Sequence, residues 1–215
     1  MNDYININGK NMETKLWFPL FNFLIKIDSE IKTHIDLEYI RAHHKNIDVS
    51  VRSLMLCLFA YMETIFFFKI IYDEDRDLSY EELRRFSEWK MTDLIKKYLL
   101  SKKNNKYYAL NYDEFNKIKQ TDLMDLRHYL THFYSTTDNF WLYIWRYSQK
   151  ELDDVRKENP DFSMLSPYNL YYLINCAANN LILEWDSECK KDEISFNRKM
   201  KRVLKIAKNY AAVEI

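Results

Sequence analysis

Gly9 is the only glycine in a chain of 215 residues. Average usage of about 7% would supply roughly fifteen. Glycine provides positive φ in tight turns and lets the main chain approach a phosphate closely. A dinucleotide-binding GxGxxG, a phosphate-cradling P-loop, a GxSxG nucleophile elbow and an EF-hand loop all need it, and none occurs in the sequence. There are only three prolines, Pro19, Pro160 and Pro167. A β-sandwich or a many-turned α/β fold would be hard to connect with so few turn residues. An all-α fold suffers least, because helices need few connections.

The apolar content can support such a fold. Hydrophobic residues make up 47% of the chain and aromatics 16%. A chain of this length and composition buries a sizeable core and is not globally disordered. Its length predicts one domain, spanning 1–215. Lys+Arg and Asp+Glu both number 32, so the net charge is zero. That balance argues against a strongly basic nucleic-acid binder, while leaving room for a local basic patch. It also eases self-association. Cys57, Cys176 and Cys189 are odd in number and far apart. They read as reduced thiols of a cytoplasmic protein. The opening MNDYININGK contains no apolar signal core. Residues 54–72 are apolar enough to suggest a membrane span, but Glu63 stands at the middle. A carboxylate at the bilayer centre costs about 2.5–3.5 kcal/mol. The segment therefore reads as a buried core helix, and no membrane partner is expected.

Residues 1–12 are polar and expected to be loosely held. Leu16, Leu20, Phe23, Leu24, Ile27 and Ile31 recur at helical spacing over 13–34. A second helical stretch starts near Asp36, breaks around 46–48, and resumes over 49–72. Ser79 and Glu82 form a capping box that opens a helix to about Leu100. Residues 101–106 read as a basic loop, and 107–112 as a short extended piece. Asp113 caps a helix that runs to about Tyr134. The aromatic run 139–147 fits helix or strand. A polar stretch follows, with a turn at Asn159 and Pro160. Pro167 starts a helix to about Cys189, and 194–210 forms the last one. The prediction is a compact bundle of six or seven helices.

The stretch 122–135, DLMDLRHYLTHFYS, concentrates the chemistry. Leu123, Leu126, Leu130 and Phe133 form one apolar stripe. At about 100° per residue, Arg127 and Tyr134 border that stripe. His128 and His132 lie nearly opposite it, one turn apart, with Thr131 between them in sequence. A guanidinium offers a planar fork for phosphate oxygens. Imidazoles exchange protons near neutral pH. Such a face suits binding and cleaving a phosphodiester without metal. Glu63, inside an apolar helix, needs a partner. Arg127 is a candidate for it, as Asp125 is a candidate for Arg127.

The run from Arg127 to His132 resembles the motif of the HEPN superfamily (higher eukaryotes and prokaryotes nucleotide-binding). That motif is an Arg and, after four to six residues, a His, with a polar residue directly after the Arg. His128 fills the polar position, and His132-Phe133-Tyr134 matches the longer form Arg-x4-His-x-Tyr. The resemblance implies a HEPN-like helical fold and a metal-independent endoribonuclease of toxin–antitoxin or phage-defence type. It assigns His132 as general base on the ribose 2′-OH, Arg127 to the phosphoryl oxygens, and His128 to phosphate orientation or a proton shuttle. RNA is the implied substrate, since DNA lacks the nucleophile. Tyr134 matches the tyrosine that a nucleotidyltransferase-type antitoxin modifies with AMP. Arg127 and His132 point about 140° apart on an ideal helix, so a homodimer is expected to complete the site. Residues 139–215 extend beyond the motif helix with no assigned role.

Other patterns carry less. His128-x3-His132 has the spacing of a zinc site, but Tyr129 replaces the Glu of HExxH and no third ligand is evident. No metal or cofactor is expected. His43 and His44 read as a solvated pair. Lys96, Lys97, Lys102, Lys103 and Lys106, and the basic residues 198–208, read as solvated faces or as a track for an RNA backbone. Met200, Val203, Leu204 and Ile206 leave a partner-helix role open for the last helix. Phe140, Trp141, Tyr143, Tyr171 and Tyr172 suit core packing better than base stacking. The alternative function is a catalytically inactive HEPN-like protein that binds a nucleotide or a protein. A third is an interaction protein with no HEPN relationship.

Overall fold

Side chains cap several helix ends of this chain. The computed structural model describes residues 18–43, 51–74, 76–79, 120–133, 140–142, 149–161 and 163–210, with isolated residues between 81 and 98. Among them are six helices: α1 Phe18–His43, α2 Val51–Asp73, α3 Gln120–Phe133, α4 Gln149–Glu158, α5 Pro167–Lys191 and α6 Glu193–Tyr210. The fold is all-α. Its one departure among the described residues is a parallel pair of three-residue strands, β1 Phe140–Leu142 and β2 Ser163–Leu165, in the register Trp141 with Met164.

The expected capping box at Ser79 and helix start at Pro167 are present. Ser79 Oγ accepts from the Glu82 backbone N–H at 3.3 Å, and the Glu82 carboxylate accepts from Ser79 N at 2.9 Å. This is the reciprocal pattern that satisfies two otherwise orphaned donors. Pro167 opens α5, and the Leu170 amide donates to the Ser166 carbonyl at 3.0 Å. A single residue, Asp192, separates α5 from α6. Its amide closes the last turn of α5 on Glu188, and its carboxylate accepts from Ser195 N at 3.0 Å. One aspartate thus ends one helix and starts the next. Asn159 ends α4, its amide donating to Val155 O at 2.9 Å, and Pro160 prevents continuation.

The core is built around α2. Met55, Leu58, Phe59, Met62, Ile65, Phe66, Phe68, Ile70 and Ile71 are all buried. Helices α1, α3, α5 and α6 each pack on it, while α5 also packs on α1 and α6. This explains why its apolar residues cover most of the circumference: α2 has little surface left for water. The helix is long and apolar enough to cross a membrane by length and composition, yet most of that stretch lies inside the fold.

Several expectations need correction. The break between 34 and 36 does not exist, and α1 continues to His43. Ile35 is buried there, and Lys32 bridges to Asp36 at 2.8 Å across the supposed boundary. No glycine or proline interrupts the segment, so helix propagation is the cheaper course. The polar stretch after 147 holds α4, and a strand follows at β2. The apolar face of α6 is not open to a partner helix. Met200, Val203 and Leu204 are buried within this chain's own core. Tyr171, by contrast, is buried in the core as expected, and cannot stack bases. Residues 1–12, 44–50, 101–119 and 134–139 lie outside the described residues. They include the expected break at 46–48, the basic loop, the Asp113 cap and Tyr134. No disulfide joins the three cysteines.

Candidate functional site

Helix α3 is held to α2 by one face and presents the other to solvent. Leu123, Leu126 and Leu130 are at most 1% exposed. Asp125, His128, Tyr129, Thr131 and His132 are exposed, and Arg127 is half-buried at the border. The 3.6-residue period therefore sorts the motif as its spacing predicts. The Thr131 hydroxyl donates to the Arg127 carbonyl at 2.8 Å, one turn back along the helix. That bond is local and satisfies the hydroxyl on the backbone.

Arg127 pairs with Glu63, with Nε and Oε1 making the closest approach. Asp125, the alternative, is exposed and forms no ion pair with it. Glu63 sits between the buried Met62 and Ile65, at the edge of α2. Both partners keep partial exposure, 27% for Arg127 and 32% for Glu63. The carboxylate in the apolar helix thus has its cation, and the guanidinium is anchored across the α2–α3 contact. No other carboxylate among the described residues pairs with Arg127.

The rings of His128 and His132 lie 4.5 Å apart between centroids, tilted by 51°. Tyr129 meets His128 edge-on, with centroids 6.2 Å apart. The site therefore gathers one anchored guanidinium and two neighbouring imidazoles on adjacent turns of one helix. Such a set can bind an anion and move a proton.

Two buried polar clusters escaped the sequence reading. Asp28, 6% exposed, accepts from Tyr61 Oη at 3.1 Å, Tyr171 Oη at 3.0 Å and Asn175 Nδ2 at 2.9 Å. Asn179 Nδ2 donates to Asn175 Oδ1 at 3.0 Å and extends the chain of bonds. Burial, reinforced by the Asp28 charge and hydrogen bond, pushes the Tyr61 phenol well above its ordinary pKa, and the Tyr171 phenol moves the same way. Both hydroxyls stay protonated and donating. The second cluster surrounds Lys69, which is 3% exposed. It pairs with Asp73 at 2.6 Å and Glu184 at 3.0 Å. Tyr98 also donates to Glu184, and Tyr72 donates to Glu188 at 2.6 Å. Burial alone would raise the Glu184 pKa. Hydrogen bonds from Tyr98 and Lys69, with the charges of Lys69 and Lys97, overcome it and hold the carboxyl below its usual range. Both clusters join helices far apart in sequence. The available signal was a charge placed inside an apolar stripe, as Asp28 follows Leu24 by one turn and Lys69 follows Phe66 and Phe68.

Lys205 pairs with Asp77 at 3.3 Å, and Arg202 donates to the Glu74 carbonyl. Part of the basic face of α6 is thus spent on the chain's own 74–77 segment. Among the described residues no group of three His, Cys, Asp or Glu side chains is placed to hold a metal. No protein-family model, curated protein or solved structure matches this chain.

Proposed function

We propose that this protein is a metal-independent endoribonuclease of HEPN type, acting as a homodimer in a toxin–antitoxin or phage-defence setting. The observation that supports this most is the face of α3. It combines a Glu63-anchored Arg127 with the neighbouring imidazoles of His128 and His132.

In this reading His132 takes the proton from a ribose 2′-OH. The 2′-oxygen attacks the adjacent phosphorus, and the bond to the 5′-oxygen breaks. The leaving 5′-oxygen gains a proton, and the other fragment ends in a 2′,3′-cyclic phosphate. Arg127 stabilises the charge gathering on the phosphoryl oxygens. Glu63 serves as a positioning residue, fixing the guanidinium from the α2 side. His128 orients the phosphate or returns the proton. Arg127 and His132 diverge around one helix, so a second α3 across a two-fold would supply the complementary half of the site. Tyr134 would be the modification point for a nucleotidyltransferase-type antitoxin, adding anionic bulk close to the phosphate site.

The test is RNA cleavage by the purified chain in chelator-containing buffer. Wild type is expected to cleave and to leave 2′,3′-cyclic ends. His132→Ala is expected to lose at least about a hundredfold in rate, the usual scale of general-base catalysis. Arg127→Ala should lose comparably, and mixing it with His132→Ala should restore part of the activity through heterodimers. A folded wild-type dimer that leaves RNA intact, as His132→Ala does, overturns the enzyme reading in favour of a nucleotide- or protein-binding role.

A further inference from the structure

We propose that His128 and His132 form a two-imidazole chelate for a divalent transition cation, zinc(II), nickel(II) or copper(II), and that loading it inhibits the same histidines in RNA cleavage. The chelate stands on geometry alone. The inhibition rests on the proposed ribonuclease reading.

Residues four apart on a helix share a face, and α3 is continuous through both histidines. Both side chains are exposed, so a hydrated cation can reach them. A cation lies about 2.0–2.1 Å from each ligating nitrogen, hence roughly 3.2 Å from each imidazole centroid. With a right-angle bite, two such rings stand about 4.5 Å apart, and with a tetrahedral bite about 5.2 Å. The observed separation is 4.5 Å. The rings are tilted by 51° to each other. The ring separation is thus within the range a shared cation needs, with no change in the helix.

The electrostatic setting also favours a cation. Arg127, the neighbouring positive charge, is paired with Glu63. Asp125 lies one turn before His128 on the same exposed face. With no third protein ligand among the described residues, water fills the remaining positions. A two-imidazole donor set selects zinc, nickel and copper over magnesium, calcium and manganese, which prefer oxygen. Binding would hold both imidazoles by the lone pairs that a general base needs.

The test titrates zinc(II), and separately nickel(II), into the full chain without RNA. Equilibrium dialysis gives stoichiometry and affinity, and copper(II) broadening of imidazole NMR signals gives location. One cation per chain is expected, with signals of His128 and His132 broadened first. His128→Ala and His132→Ala should each weaken binding at least about tenfold, since even outer-shell partners are worth 10–100-fold. The triple variant His34→Ala/His43→Ala/His44→Ala should bind as wild type does. At a hundredfold excess over Kd the melting temperature should rise by roughly 5–10 °C. Magnesium should do nothing. Unchanged affinity in His128→Ala and His132→Ala, or broadening centred on His43 and His44, overturns the site. Cleavage that zinc leaves untouched overturns the inhibition alone, and a wild type that binds zinc yet cleaves no RNA overturns the ribonuclease reading alone.

Discussion

Replacing Asp28 with alanine tests whether a buried carboxylate holds three helices together. The side chain joins α1 to Tyr61 on α2 and to Tyr171 and Asn175 on α5. Its partners are neutral, and among the described residues no cation pairs with it. Removing it strands two phenols and one amide. Each buried donor left unsatisfied costs about 1–3 kcal/mol. Against that stands the relief of desolvating one carboxylate, several kcal/mol. Three stranded donors cost about 3–9 kcal/mol together, and with part of that offset by the relief the expected net loss is about 3–5 kcal/mol. That corresponds to a fall in melting temperature of roughly 6–20 °C for a chain of this size. Asp28→Asn keeps the shape and one acceptor, and the phenols can rotate to suit it, so it should lose only about 1–2 kcal/mol. Tyr61→Phe supplies the decisive arm. It should cost about 1.5–3 kcal/mol in the wild type, where the acceptor is charged. In the Asp28→Ala background it should cost nothing or stabilise, because it removes a stranded donor. Urea unfolding followed by tryptophan fluorescence measures all four variants. An Asp28→Ala protein within 1 kcal/mol of wild type, or a Tyr61→Phe cost equal in both backgrounds, would refute the reasoning.

Four further outcomes follow from the same structure. Tyr61, Tyr72, Tyr98 and Tyr171 all have raised pKa values in the folded protein, chiefly through burial. Folding then favours the protonated phenol, so stability is full below the unfolded pKa of about 10 and declines above it, at about 1.4 kcal/mol per pH unit for each such tyrosine. Urea midpoints at pH 9, 10 and 11 should fall progressively, and a flat profile would contradict this. At the acid end, the Ser79 backbone amide, with Arg76, brings the Glu82 carboxyl down to about 2. The cap contributes fully above about pH 4.3, the ordinary Glu value, and is lost as pH falls toward about 2. NMR titration of Ser79→Ala should show Glu82 moving only partway back toward that ordinary value, because the Ser79 backbone amide and Arg76 still hold the carboxylate. On α3, Leu126→Ala should cost about 2–5 kcal/mol because its side chain is fully buried. His132→Ala, on the exposed face, should change stability by less than about 0.5 kcal/mol, which keeps any loss of RNA cleavage separate from unfolding.

The sequence by itself determined most of what is local. Missing glycine excluded the phosphate-binding loops, and apolar spacing marked the helices. Ser79, Glu82 and Pro167 announced helix starts that the structure bears out, because a cap needs only neighbours within one turn. The stripe Leu123, Leu126 and Leu130 likewise decided which face of α3 would be exposed, and with it where His128 and His132 would stand. The tertiary structure decided what depends on distant partners. Arg127 had two candidate carboxylates, and the packing of α3 on α2 chose Glu63 over the nearer Asp125. The buried anchors at Asp28 and Lys69 were visible only as charges out of place, because their partners lie on helices that meet them after folding. Helix α1 ran through an apparent boundary because no breaking residue stood there to stop it. The parallel pair of β1 and β2 escaped notice because strands of three residues carry almost no period of their own. A helix face is set by 3.6-residue geometry, whereas the choice of neighbour is set by which faces bury each other, and that choice is made only when the whole chain is assembled.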